Sequence, residues 1–328
     1  MDIGQGQPHR VLELWFEDAN VIFQAESSLF RVHKGILQAR SSVFRDMFAI
    51  PQTSTPLDSD LMDGCIVTQL PDAAEDIRCF FLAIGYDASF FEPPPTPTPL
   101  SVVLAIARMS HKYDVPFLRR RALSHLSHRC PTTLRDFFTV HVEGKNSFLG
   151  EEFEVLRAAL KIDPSWVLPY QFLITHFTEL ETLLATQQWK DLEVEIQAMC
   201  HVKWRCIESH SRRCIAQLLS KLLSDLCATC AALSVQIQRA AVGCLSEDIP
   251  MFLSPGIIKG TTGCCPECLL GTYKTFADAY GSFWDALPET LGMPRWDILE
   301  TKKSEDTEPI ALWLKNTRWV VRVSTSYK

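Results

Sequence analysis

"DANVIFQAESSLFRVHKGILQARSSVFRDMF", residues 18–48, changes its period half-way along. Val21, Phe23 and Ala25 alternate with Ile22, Gln24 and Glu26, which is the period of two of a strand rich in β-branched and aromatic residues. "ESS" is a short polar turn. "LFRVHK" then reads as a second strand, with Leu29 or Phe30 and Val32 facing inward, so the pair is expected to form a β-hairpin. From Lys34 the spacing becomes three and four: Ile36, Leu37 and Arg40, then Val43, Phe44, Met47 and Phe48. Ser41 and Ser42 interrupt that run and can cap a second helix starting near Val43. His33 sits where strand gives way to helix.

The same reading extends along the chain. "GCIVTQLPD" predicts a third strand, stopped by Pro71, with Asp72 expected to cap the helix "AAEDIRCFFLAIGYD". Ile77, Phe80, Phe81 and Ile84 form the apolar stripe of that helix. "EPPPTPTP" can be neither helix nor central strand and predicts a stiff extended loop. Two more helices follow, "LSVVLAIARMSHKYDV" and "PFLRRRALSHLSH", with Pro116 in the first turn of the second. Strands followed by clustered helices make the fold class α+β. Beyond Cys130 the strand signals fade, and six further segments carry a helical period. The last of these, "ECLLGTYKTFADAYGSFWDAL", leads into "LPETLGMPRWDIL", where Gly292 is expected to end a helix and Trp284 and Trp296 to anchor the segment onto the helical region. The expected organisation is an α+β domain over 12–130 and an all-α region over 131–328.

The totals bound the function classes. A chain of 328 residues, 47% of them hydrophobic, can bury one large core or two smaller ones. A net charge of -7 disfavours general nucleic-acid binding. No apolar run approaches the roughly 20 residues needed to cross a bilayer, and the opening residues lack the pattern of a secretory signal. The 12 cysteines are therefore expected as thiols in a reducing compartment, cytoplasm or nucleus.

The first 130 residues resemble a BTB/POZ domain. The likeness is carried by "DANVIF", "LFRVHKGILQARSSVFRDMF", "IRCFFLAIGYD" and "LAIARMSHKYDVPFLRRRALSHL". The phrases "SSVFRDMF", "FFEPPPTP" and "SHKYDV…LRRRAL", with the closing Trp284, Leu287, Pro288, Gly292, Pro294 and Trp296, are similar to the expanded BTB proteins of mushroom-forming (basidiomycete) fungi. The resemblance implies a β-hairpin, a third strand and a helical cluster in a non-enzymatic interaction module. Such modules typically dimerise, and some bridge a cullin ubiquitin-ligase scaffold to a substrate. Many dimerising members carry an aspartate directly before the hairpin valine, paired with the basic residue after the histidine. Here those positions are Asn20 and Lys34. Only 19 residues precede Asn20, which is short for the N-terminal arm that some members exchange, so a helix-packed dimer is expected. Asn20, His33, Lys34, Ile36 and Leu37 are the candidate interaction residues.

Each chemical candidate has a plainer reading. His33 lacks a Ser, Cys or Asp at triad-like spacing, and the resemblance implies a buried ring hydrogen-bonded to backbone. Cys265 and Cys268 in "CPEC", with Cys227 and Cys230 in "LCATCAAL", offer two CxxC pairs that a tetrahedral zinc could use. However, 34 residues separate Cys230 from Cys265, longer than the common spacings, and the period around Cys227 suits small buried side chains on a helix. Buried thiols and no cofactor are therefore expected. "HVKWRCIESHSRR" joins basic residues to Trp204, as a single-stranded nucleic-acid site would, but a solvated helix face fits the acidic chain better. The expected function is protein–protein interaction with self-association. A cullin-ligase adaptor is the nearest alternative; a zinc- or thiol-centred enzyme, or a nucleic-acid-binding regulator, stands further off.

Overall fold

The computed structural model describes residues 7–50, 61–142, 151–176, 180–235 and 263–307. "TSTPLDSD", whose proline and polar residues predict a loop, and "QIQRAAV", the end of a segment of helical period, lie outside the described residues. The chain divides into two compact units. One holds the described residues up to His128 and from Ser304 on, and the other is Arg129–Lys303.

The first unit is built on a five-stranded sheet in the order β1-β3-β2-β5-β4, with β1 His9–Trp15, β2 Val21–Ala25, β3 Ser28–Val32, β4 Leu61–Met62 and β5 Cys65–Leu70. β2 and β3 form the hairpin, antiparallel from Val21↔Val32 to Ala25↔Ser28. Its two-residue turn is Glu26-Ser27, with Glu26 in the left-handed region at φ +51°. β5 runs parallel to β2, and β1 runs parallel to β3. The one-sided alternation expected for β2 does not hold. Ile22 is buried as completely as Phe23, because both faces of the central strands are covered. Ile22, Leu29 and Cys65 pack with Trp15, Met62 and Val67 in a small cluster. The main core holds the aromatic side chains: Phe44 lies against Phe23 and Phe81, and stacks on Tyr113 with centroids 4.7 Å apart.

Helices α1 (Lys34–Arg40) and α2 (Ser42–Ala49) follow the hairpin. Ser41 is extended between them. Its hydroxyl accepts the Phe44 N–H at 3.0 Å and donates to the Tyr113 carbonyl at 2.5 Å, so it caps α2 and ties it to a later helix. α3 (Ala74–Phe81) buries Ile77, Phe80 and Phe81 and continues through a π-turn at Leu82–Tyr86. Asp72 does not cap it. That carboxylate instead accepts from Lys112 and from the Tyr113 hydroxyl, while Glu26 of the hairpin turn accepts the Ala74 N–H at 3.2 Å. α4 (Leu100–Lys112) and α5 (Pro116–Ser127) complete the unit, the latter with proline at its first position.

The second unit is helical: α6 (Leu134–Val142), α7 (Glu152–Ile162), α8 (Leu168–His176), α9 (Leu180–Ala185), α10 (Gln187–Lys190), α11 (Val194–Ser224), α12 (Pro266–Thr290) and α13, which starts at Trp296. The helical periods of "WKDLEVEIQAMCHVKW" and of the segment opening "CIAQLLSKLLSD" join through the basic cluster in one 31-residue helix, α11, which begins after Trp189 and ends at Ser224. Its buried residues Ile196, Cys200, Trp204, Ile207, His210, Cys214, Leu218 and Leu222 recur every three or four positions, and the helix packs along both α12 and α8. Trp284, Leu287, Leu291 and Leu299 are buried, so the closing segment is packed within this unit.

Candidate functional site

Two constellations collect the sequence candidates. The first lies at the junction of hairpin and helices. Asn20 stands just before β2, and its side-chain oxygen accepts the backbone N–H of Lys34 at 2.9 Å, satisfying one of the orphan donors at the start of α1. The Lys34 ammonium lies over the Phe48 ring, 5.3 Å from its centroid. His33 is part-buried, at 29% side-chain exposure, and its partner is not backbone: Nε2 lies 3.2 Å from an Asp18 carboxylate oxygen. The hydrogen bond from His33 holds Asp18 below the usual carboxylate range. The ring stacks against Tyr86 and tilts onto Phe16, and the His33 backbone N–H donates to the Tyr86 hydroxyl at 2.7 Å.

The structure divides Ile36 from Leu37. Leu37 is fully buried and is a core residue, which removes it as a surface contact. Ile36 is half-buried, with Cγ2 placed 3.2 Å from where a Cβ on Gly85 would stand. Residues missed by the sequence reading extend the outer surface of α1 and α2. Gly35 and Ala39 are exposed one turn apart on α1. On α2, Val43 is 39% exposed, Met47 and Phe48 are half-buried, and Ile50 at its end is 67% exposed. Val43, Met47 and Ile50 recur at i, i+4 and i+7, a spacing that could have marked this second apolar face.

The second constellation is made of cysteines. α11 ends at Ser224, so Cys227 and Cys230 occupy the turn after it and do not lie on a helical stripe as expected. Cys265 is the N-cap of α12, and Cys268 is in its first turn. Because α11 and α12 pack side by side, the long sequence gap is no obstacle. The four sulfurs all lie within 4.8 Å of one another. Cys227 Sγ is 4.0 Å from Cys265 Sγ, far beyond a disulfide, and all four thiols are free. Backbone groups of each pair reach the sulfurs of the other. The Cys227 N–H donates to Cys268 Sγ and the Cys265 N–H to Cys230 Sγ, each at 3.3 Å. Cys268 N–H donates to Cys265 Sγ at 3.5 Å. The backbone N–H of Cys230, then its thiol, draws the exposed Cys227 thiol down to about 7.

The basic segment does not form a stacking platform. Trp204 is buried, its indole N–H donates to Thr175 Oγ1 at 3.2 Å, and its ring stacks on Trp189. Glu208 lies within ion-pair distance of Arg205 and Arg212. Among the described residues no helix is long and apolar enough to cross a membrane.

A search of the curated proteins found no match, and a search of the solved structures found none either. The family comparison found the BTB/POZ domain, matched by residues 13–129. That span covers the hairpin, the third long strand and the helices through α5, together with the α1–α2 surface. Residues 13–129 of this chain are therefore a BTB/POZ domain, a protein–protein interaction module, followed by a helical region.

Proposed function

We propose that this chain is a non-enzymatic interaction protein that forms a homodimer through the α1–α2 surface of its BTB/POZ domain. The observation that carries this reading is the apolar outer face of those helices. Val43 and Ile50 are exposed there, Met47 and Phe48 are half-exposed, and Gly35 and Ala39 offer small side chains that let a partner helix approach closely. A second copy presents the same surface, so a two-fold contact would cover both at once. Asn20 and Lys34 stand at the start of this surface, and His33 holds the junction behind it. The likeness of the "FFEPPPTP" and Trp284–Trp296 phrases to the basidiomycete BTB expansion supports a partner of the same family. The free thiols suit a reducing compartment, cytoplasm or nucleus.

Sedimentation equilibrium on the full chain tests the proposal. A dimer is expected at micromolar concentration. Val43→Asp with Ile50→Asp should shift it to monomer by at least about tenfold in dissociation constant, since each buries a charge in the contact, while circular dichroism stays unchanged. A wild-type chain that stays monomeric at high concentration would overturn the reading. An adaptor bridging a cullin-type scaffold to a substrate is the second use of the same module. Titration with a purified cullin N-terminal region separates the two, because a complex containing a monomeric chain would replace self-association.

A further inference from the structure

We infer that Cys227, Cys230, Cys265 and Cys268 bind one zinc ion as a closed, four-thiolate structural site in the helical region.

Ordinary burial does not explain why these four side chains converge. A cysteine that serves as a small hydrophobe belongs in the interior, and Cys130 and Cys200 are such residues, at 1% and 0% exposure. In the cluster, Cys227 is exposed and Cys265 is half-exposed, yet both sulfurs point to the same centre as buried Cys230 and Cys268. Oxidation does not explain it either, since the sulfur separation is about twice a disulfide bond. Zinc held at about 2.3 Å from four sulfurs sets them about 3.8 Å apart along each tetrahedral edge. The 4.0 Å between Cys227 and Cys265, and the 4.8 Å limit on the whole set, leave that tetrahedron within a small inward movement.

The surroundings fit a metal–thiolate centre. On binding, each of the four thiols releases its proton to solvent, and the resulting centre carries two net negative charges. Backbone N–H groups aimed at the sulfurs stabilise such charge, and the Cys227, Cys265 and Cys268 amides are so aimed. All four positions are taken by protein ligands, leaving none for water or substrate, so the site is structural and not hydrolytic. No Asp, Glu or His belongs to the set, and an all-sulfur donor set selects zinc over magnesium, calcium or manganese. Cys264 lies beside the cluster but outside it.

The test uses the full chain, purified without added metal and analysed for zinc by plasma mass spectrometry. About one zinc per chain is expected, released by an organomercurial that titrates the thiols and replaceable by cobalt(II) with the visible spectrum of a tetrahedral tetrathiolate. Cys230→Ser and Cys268→Ser should each lower zinc content at least about tenfold, and Cys264→Ser should leave it unchanged. The release and cobalt measurements on the wild-type chain stand even where a variant fails to fold. A wild-type chain with neither zinc nor a cobalt spectrum, whether its thiols are free or paired as disulfides, would overturn the assignment. So would iron in place of zinc, or equal loss of zinc from Cys264→Ser.

Discussion

Tyr86 holds the strand–helix junction from a distance of 53 positions in sequence: its hydroxyl accepts the His33 backbone N–H, and its ring stacks on Phe16 as well as on His33. Burial pushes the Tyr86 phenol up to about 12, so the hydroxyl stays protonated. Tyr86→Phe keeps the rings and removes only the acceptor, which should cost about 1–3 kcal/mol in urea unfolding for the unpaired N–H. His210 acts through charge. Burial against the Phe283 ring lowers its pKa, despite the Phe283 carbonyl 3.3 Å from Nε2, and Arg213 lowers it further. The unfolded chain therefore takes up this proton near pH 6.5, and the folded chain does so only at lower pH. The stabilisation is complete above about pH 6.5 and is lost as pH falls through the folded value. Urea midpoints taken between about pH 7.5 and 5.5 should fall less steeply for His210→Gln than for wild type. The backbone partner expected for the His33 ring is replaced by Asp18, which the sequence reading did not find. Asp18 comes within reach only because the chain turns between β1 and β2.

At the scale of elements, the end of α12 shows how local signals and long-range packing combine. Gly292 adopts φ +71°, its N–H reaches the Glu289 carbonyl, and the Met293 N–H reaches the Pro288 carbonyl. Lys203 of α11 donates to the Leu291 carbonyl at 2.6 Å. The reversed chain brings Trp296 back onto Trp284, whose carbonyl accepts the Trp296 indole N–H at 2.7 Å. Trp296→Ala should cost about 3–5 kcal/mol in denaturant unfolding, while Ile298→Ala on the exposed side should change stability by less than about 0.5 kcal/mol. That turn could be read from Gly292 and Pro294, as α1 and α2 could from Ser41, because the determinants lie within a few residues. β1 could not. "HRVLELW" is a strand only by virtue of parallel pairing with β3, and four of its seven residues are exposed. The cysteine cluster was hidden for a similar reason. Two CxxC pairs were visible, but their approach depends on where α11 stops and on α12 lying beside it.

For the whole molecule, one compact unit holds the BTB/POZ domain with the described residues from Ser304 on, and the other holds the four-thiol cluster. The sequence reading divided the chain near Cys130, where mixed periodicity gives way to helical periodicity, and it gave no sign that the residues from Ser304 on group with the first unit. The described indoles are spread unevenly between the two units. Among the described residues, Trp15 is the tryptophan of the first unit, while Trp166, Trp189, Trp204, Trp284 and Trp296 belong to the second. Trp284 and Trp296 lie 5.1 Å apart with planes only 9° from parallel. At that separation the electronic transitions of two indoles couple, and a coupled pair gives an exciton signal in circular dichroism that isolated indoles lack. The stack that closes the helical region is thus also a built-in chromophore, and its ellipticity reports on the packing of Trp296 against Trp284.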